Sequence, residues 1–127
     1  METQQMLVVV EDEPDIRFLV RVTLGSDRRF EVLGEAASAT EAIELARTVH
    51  PNLIILDHGL EGEMTGLEAA PLLKQAAPNA KILLFTANEH LRGEALLSPS
   101  IDAFLVKTEI RKLLAMTQEL LGLTQAG

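Results

Sequence analysis

The stretch Leu53-Ile54-Ile55-Leu56-Asp57 ends an uninterrupted apolar run of strand length with a carboxylate. Three other apolar runs end in the same way, namely 7–10 before Glu11-Asp12, 82–85 before Thr86, and 103–106 before Lys107. Such runs are typical of strands that are covered on both faces of a parallel sheet. If the four runs are parallel strands, their polar residues share the carboxyl edge, where open α/β sheets bind ligands. The pattern predicts a site for a cation and a phosphoryl group.

Helical patterns alternate with the apolar runs. Apolar residues recur at i, i+3 and i+4 from Ile16, Ala42 and Ile110, which indicates amphipathic helices. The predicted strands β1–β5 span 7–10, 30–34, 53–56, 81–85 and 103–106, and the predicted helices α1–α5 span 14–25, 40–49, 66–77, 89–98 and 109–121. Strict alternation predicts a parallel α/β sheet with right-handed crossovers. The charged β2 suits an edge of the sheet, and the four uninterrupted runs suit central positions.

Composition limits the class of protein further. A chain of 127 residues with 47% hydrophobic residues suits one folded domain, predicted over residues 1–127. The absence of Cys excludes disulfides and thiolate metal sites and suits the cytoplasm. No basic signal sequence begins the chain, and no apolar run approaches the ~18 residues of a membrane span, so no membrane association is expected. The net charge of −8 argues against direct nucleic acid binding.

The acidic residues at the strand ends call for a cation. Two carboxylates ~4 Å apart repel each other by about 4 kcal/mol at an effective dielectric constant of 20. Glu11, Asp12 and Asp57 together therefore suit Mg²⁺, which prefers oxygen ligands and leaves positions for phosphate oxygens. Asp57 is then a candidate nucleophile that forms an aspartyl-phosphate. Lys107 supplies positive charge and Thr86 a hydroxyl donor to the transferring group, so these three are the candidate catalytic residues.

Four segments carry a resemblance to a known family: Val-Val-Glu-Asp-Glu-Pro at 9–14, Leu-Ile-Ile-Leu-Asp at 53–57, Leu-Leu-Phe-Thr-Ala at 83–87 and Asp-Ala-Phe-Leu-Val-Lys at 102–107. In this order and spacing, the chain resembles a receiver domain of bacterial two-component response regulators over a core of residues 6–121. The resemblance implies a flavodoxin-like (CheY-like) three-layer α/β fold, with five helices around a five-stranded parallel sheet of order 2-1-3-4-5.

The resemblance also implies roles for the residues at the sheet edge. Asp57 resembles the phosphate acceptor, and Asp12 and Asp57 resemble direct Mg²⁺ ligands. Glu11 resembles the acid that acts mainly through water, and the Gly59 carbonyl resembles a backbone metal ligand. Lys107 resembles the residue that pairs with the phosphate.

The implied activity is a phosphorylation switch. Thr86 resembles the switch hydroxyl and Phe104 the switch aromatic, which swings inward behind it. The expected phosphodonor is a sensor histidine kinase or a histidine phosphotransfer protein. The signal is expected to leave through the α4-β5-α5 face, which is also a possible homodimer interface. The protein is expected to catalyse only its own phosphorylation and dephosphorylation, and is not expected to be an enzyme acting on other substrates.

Two small residues bear on the lifetime of the phosphate. Gly59 has no side chain, and Asn88, two residues after Thr86, is short and uncharged. Neither is expected to shield the phosphoryl group from water. These modulating positions therefore predict a lifetime that is governed by water access to an open site.

Departures from the family pattern leave one alternative open. Thr108 replaces the usual proline after the lysine, which leaves either a costly cis peptide or a trans peptide that aims Lys107 differently. The loop around Glu61-Gly62-Glu63 lacks the usual proline, Ser100-Ile101 replaces the usual Gly-Ala, and Phe104 lacks a hydroxyl. A degenerate receiver that binds partners without phosphorylation is therefore a second hypothesis.

Two other classes fit less well. A haloacid-dehalogenase-type phosphatase needs a second acid where Gly59 lies. A flavodoxin needs a first loop that cradles phosphate, whereas Glu11-Asp12-Glu13 would repel it.

Overall fold

Five parallel strands form one sheet in the computed structural model, which describes residues 4–123. The strands are β1 Gln5–Val10, β2 Phe30–Ala36, β3 Leu53–Leu56, β4 Lys81–Thr86 and β5 Ala103–Val106. Their spatial order is β2-β1-β3-β4-β5, and all four neighbouring pairs are parallel. The implied flavodoxin-like order is confirmed, and with it the three-layer α/β fold.

The α-helices are α1 Pro14–Gly25, α2 Ala39–Val49, α3 Gly66–Ala76, α4 Arg92–Leu97 and α5 Leu113–Leu120. The predicted starts of α1 at 14 and α3 at 66 are confirmed. Pro14 opens α1, and Thr65 with Glu68 forms a capping box at the start of α3. Among residues 4–123, every helix is too short or too polar to cross a bilayer.

The predicted helices at 89–98 and 109–121 are wrong as continuous α-helices. A 3₁₀ helix, Glu89–Leu91, precedes α4, and the Asn88 side chain caps it by accepting a hydrogen bond from the His90 N–H at 3.0 Å. A second 3₁₀ stretch, Lys107–Lys112, precedes α5, and within it Glu109 leaves helical conformation with φ −106° and ψ 32°. These stretches have only 3 and 6 residues, which is too short for apolar periodicity to separate a 3₁₀ helix from an α-helix.

Alternate residues along the strands face two apolar cores. One core joins Val8, Val10, Ile54 and Leu56 to α2, α3 and α4. The other core lies on the opposite face of the sheet and joins Leu7 and its neighbours on that face to α1 and α5. The sheet is therefore covered on both faces, which leaves its carboxyl edge as the place where polar side chains gather.

Two predictions about the strands need correction. β5 lies at an edge of the sheet opposite β2, although its apolar run suggested a central position. Phe104 packs into one core and Leu105 into the other, so the run reflects coverage by helices on both faces. β2 also continues past the predicted limit at 34, because Glu35 and Ala36 still pair with β1.

Candidate functional site

The strand register brings Glu11 and Asp57 side by side. Val10 pairs with Leu56 at the ends of β1 and β3, so the next residue of each chain segment leaves the sheet at the same level. The Asp57 N–H donates to the Val10 carbonyl at 2.9 Å, and the Glu11 N–H donates to the Ala36 carbonyl at 2.8 Å. Hydrogen bonds to the sheet thus hold the backbone of both acidic residues in place, and their side chains start from neighbouring points at its carboxyl edge.

Glu11, Asp12 and Asp57 form an acidic cluster in which one oxygen of each lies within 4.8 Å of the others. Glu11 is 2% exposed and Asp57 is 6% exposed, whereas Asp12 is partly exposed. Carboxylates at such separations repel each other strongly when water is excluded. Because all the donors are carboxylate oxygens, the cluster fits a hard divalent cation such as Mg²⁺.

Lys107 points into this acidic cluster. Its Nζ lies 2.6 Å from Glu11 Oε1 and 2.9 Å from Asp57 Oδ2, and its side chain is 15% exposed. The Lys107–Thr108 peptide is trans, like every other peptide bond of residues 4–123. The trans peptide therefore does not turn Lys107 away from the site. One ammonium faces three carboxylates, which leaves excess negative charge.

Burial shifts the protonation equilibrium of Glu11 at this site. Burial raises the pKa of the Glu11 carboxyl from 4.5 to about 7, the Asp57 charge acts in the same direction, and the hydrogen bond from Lys107 opposes both. For Lys107, burial acts to lower the pKa, but the hydrogen bonds to Glu11 and Asp57 outweigh it and raise the pKa overall. Near neutral pH the site therefore resists holding all of its negative charge unless more positive charge arrives.

Thr86 ends β4, between the strands that carry Asp57 and Lys107. It is 3% exposed and pairs with Val106, the residue before Lys107. Its Oγ1 accepts a hydrogen bond from the Asn88 N–H at 3.3 Å, and no hydrogen bond joins it to Asp57 or Lys107 within residues 4–123. Asn88 itself is exposed. The hydroxyl thus lies at the same sheet edge but is held to the loop after β4.

The loop after Asp57 packs tightly at Gly66 and loosely at Gly59. A Cβ on Gly66 would lie 2.0 Å from the Asp57 carbonyl oxygen, so only glycine lets the start of α3 come this close. The His58 N–H donates to Asp57 Oδ1 at 2.7 Å. Gly59 is exposed, and a Cβ there would meet nothing within 4 Å. Gly59 is not one of the cluster residues, and a metal-binding role for its carbonyl stays a prediction.

Phe104 is buried, with 5% of the residue exposed. The Arg92 guanidinium lies over its ring at 4.8 Å from the centroid, a cation–π distance. Phe104 therefore occupies the inward position here, and its movement as a switch stays a prediction.

Two contacts at the site were not predicted from the sequence. The backbone N–H of His58 holds one oxygen of Asp57, and Arg17 Nη1 donates to the Glu11 carbonyl at 2.7 Å. No side-chain pattern reveals the first contact. The second had a signal, because a cation near the N-terminus of α1 opposes the helix dipole and so needs a local partner.

The sheet order and the acidic edge define the class of a receiver domain, and comparison with known families gives the same class. The family described as "Response regulator receiver domain" matches residues 7–118. The chain therefore belongs to the response regulator receiver family of two-component signalling.

Individual relatives agree with this class. The chain is 32% identical over 107 residues to the response regulator protein VraR of Staphylococcus aureus, covering 84% of this chain and 51% of VraR. The chain thus spans about half the length of the curated relatives that it matches.

Solved structures show the same fold. A LuxR-family two-component response regulator from Aurantimonas sp. SI85-9A1 is 25% identical, with a TM-score of 0.85 over 94% of this chain and 86% of that one. The response regulator TrrA of Thermotoga maritima, solved in complex with Mg(2+)-BeF, is 31% identical, with a TM-score of 0.80 over 93% of this chain and 99% of that one.

Proposed function

We propose that Asp57 accepts a phosphoryl group from a histidine of a partner protein, and that Mg²⁺ is required for the transfer. The observation that carries this proposal is the acidic cluster with Lys107 held between Glu11 and Asp57 at 2.6 and 2.9 Å. A buried lysine that joins two carboxylates would by itself suit a structural ion pair. The third carboxylate, Asp12, makes the cluster too negative for that role.

Mg²⁺ would be held by Asp12, Asp57 and the Gly59 carbonyl, with Glu11 acting mainly through water. When bound, the ion supplies positive charge that offsets the repulsion between the carboxylates and an incoming phosphoryl group. The oxygen donors of the cluster suit this ion. The Mg(2+)-BeF complex of TrrA, which is 31% identical, supports the proposal.

The chain's own residues would then carry the transfer. An Asp57 carboxylate oxygen attacks phosphorus, the N–P bond of the phosphohistidine breaks, and the leaving imidazole takes a proton from solvent. The His58 N–H holds Oδ1 while Oδ2 faces Lys107 at 2.9 Å, so the carboxylate is oriented in advance. Lys107 would exchange a carboxylate partner for a phosphoryl oxygen and stabilise its charge.

Switching would follow from Thr86 and Phe104. The Thr86 hydroxyl would leave the Asn88 N–H and donate to a phosphoryl oxygen. Phe104 would adjust behind it, and the α4-β5-α5 face would carry the change to an output domain, a partner or a second copy. The expected partners are a sensor histidine kinase or a histidine phosphotransfer protein, and the cytoplasm is the proposed compartment. Catalysis would be limited to the protein's own phosphorylation and dephosphorylation.

Intact mass measurement after incubation with acetyl phosphate and Mg²⁺ tests the proposal. We expect the mass of one phosphoryl group to appear on the wild type and to be absent from Asp57→Asn and from samples treated with a chelator. Glu63→Gln, which removes an exposed carboxylate of the following loop, is the control for a change of charge. An unmodified wild type that is shown to be folded would instead favour the degenerate receiver.

The phosphate lifetime tests the openness of the site. Because Gly59 and Asn88 are exposed, water should reach the phosphoryl group freely. A bulky substitution, Gly59→Gln, should slow autodephosphorylation, as followed by the loss of the added mass with time. Equal rates in the wild type and the variant would contradict control by water access.

A further inference from the structure

We propose that Arg17 is a positioning residue for the metal-binding carboxylates, acting through the backbone carbonyl of Glu11. The inference rests on the proposed function, because it concerns the same Mg²⁺ site. It adds a residue outside the acidic cluster and outside the set predicted from the sequence.

Arg17 is fixed at two points. Its Nη1 donates to the Glu11 carbonyl at 2.7 Å, and its Nε lies 3.3 Å from Glu35 Oε1 at the end of β2. Its side chain is 22% exposed, so solvent competes only weakly for these contacts. A guanidinium presents several donors in a rigid plane, so one contact orients the other.

The Glu11 carbonyl lies just where the sheet stops controlling the backbone. The Glu11 N–H still bonds to the Ala36 carbonyl, but the carbonyl of Glu11 faces Arg17 instead of a strand. The peptide unit is planar, so fixing this carbonyl also fixes the nitrogen of Asp12 and the direction in which Asp12 leaves β1. The Glu13 N–H, which donates to Glu11 Oε2 at 3.1 Å, holds the other side of the same turn.

A purely electrostatic role of Arg17 at the Mg²⁺ site agrees less well with its contacts. Within residues 4–123 the ion pair of Arg17 is with Glu35, and its contact with Glu11 is to the backbone and not to the carboxylate. Arg21 offers a matched comparison on the same helix. It lies four residues further along, its Nη1 is 2.9 Å from Glu35 Oε2, and within residues 4–123 it makes no hydrogen bond or ion pair with Glu11.

The experiment compares Arg17→Met with Arg21→Met, because both lose one positive charge and a contact with Glu35, but only the first loses the Glu11 contact. Isothermal titration gives the Mg²⁺ dissociation constant of each full chain. We expect about tenfold weaker binding for Arg17→Met, the size typical of losing an outer-shell partner, and a change of less than about twofold for Arg21→Met. Arg17→Lys keeps one donor and should recover part of the loss.

A metal-free readout separates positioning from general destabilisation. The ¹³C resonance of the Glu11 carbonyl should shift in Arg17→Met and stay in place in Arg21→Met, with thermal unfolding confirming that both variants are folded. If Arg17→Met does not fold, Arg17→Lys and Arg17→Gln take its place in the same comparison.

Equal Mg²⁺ affinity in the Arg17 and Arg21 variants would overturn the proposal, whatever the carbonyl resonance shows. A wild type that binds no Mg²⁺ would instead refute the proposed function, and the inference with it. The wild-type titration therefore tells the two failures apart.

Discussion

Two buried carboxylate sites within residues 4–123 differ in charge balance. At the sheet edge, Glu11 and Asp57 share the single cation Lys107 with a third carboxylate nearby. Just after the C-terminal end of α1, Asp27 Oδ2 accepts hydrogen bonds from Arg29 Nη2 at 2.7 Å and Gln118 Nε2 at 2.9 Å. Its Oδ1 accepts from the Arg29 N–H at 2.9 Å. The second cluster, here called the Asp27 cluster, is therefore satisfied without any ligand.

The pKa values of Glu11 and Asp27 move in opposite directions. Burial raises the pKa of the Glu11 carboxyl to about 7. The hydrogen bonds from Arg29 hold the pKa of Asp27 well below its usual range, although burial opposes them. The difference teaches that burial alone does not mark a functional acid. A functional site is indicated where the protein leaves buried negative charge without enough partners, since a ligand must then complete it.

The largest expected effect is the loss of stability on removing Asp27. Asp27→Ala should lower the free energy of unfolding by about 3 kcal/mol, because it breaks a buried ion pair and removes the acceptor of Gln118. Urea unfolding measures the change, and Glu119→Ala, an exposed acid beside Gln118, is the control. The folded fraction should still accept phosphate at Asp57. Loss of phosphorylation in the folded variant would show that the two clusters are coupled.

The second effect is a pH dependence that comes from Glu11. Its folded pKa of about 7 lies above the unfolded value of 4.5, so its contribution is fully present below about pH 4.5 and is lost as the pH rises through 7. The stability of metal-free protein should fall over this range by at most about 2 kcal/mol, after allowance for solvent screening.

Glu11→Gln should reduce the pH dependence of stability over this range. Urea unfolding from pH 4.5 to 8 without Mg²⁺ compares the two proteins. The Asp27 cluster should act with the opposite sign, because a lowered folded pKa gives stability that is present above the unfolded pKa of 3.8 and lost as the pH falls below it. If the free energy of unfolding changes with pH equally in the wild type and in Glu11→Gln near neutral pH, the proposed difference between Glu11 and Asp27 is contradicted.

The smallest expected effect comes from removing the hydrogen bond between Gln118 and Asp27. Gln118→Met keeps the length of the side chain but removes its donor to Asp27. Because the Arg29 contacts remain, we expect a loss of about 1 kcal/mol, the usual size for a single hydrogen bond. Thermal unfolding of this variant beside Asp27→Ala tests the ranking. A loss as large as that of Asp27→Ala would mean that Gln118, and not Arg29, dominates the cluster.

Much of the architecture could be predicted from the sequence, because hydrophobic periodicity is local information. The existence and type of the five strands and five α-helices of residues 4–123 were predicted, as were the starts of α1 at Pro14 and of α3 at Gly66. The 3₁₀ stretches before α4 and α5 were not, since each is too short to show a period different from that of an α-helix. The central position predicted for β5 was wrong because a run shows coverage by helices and not position in the sheet.

By itself, the sequence determined which chemical groups stand at the strand ends, because a run of apolar residues and the polar residue after it are neighbours in the chain. Its resemblance to a family supplied the strand order. Only the tertiary structure decided how those groups meet and which acids are satisfied. Asp57 pairs with Lys107, 50 residues away, and Asp27 adds Gln118, 91 residues away, to its local partner Arg29. The distant contacts arise from packing between separate segments, so the surplus of negative charge at the acidic cluster and the complete set of partners at Asp27 become visible only in the folded chain.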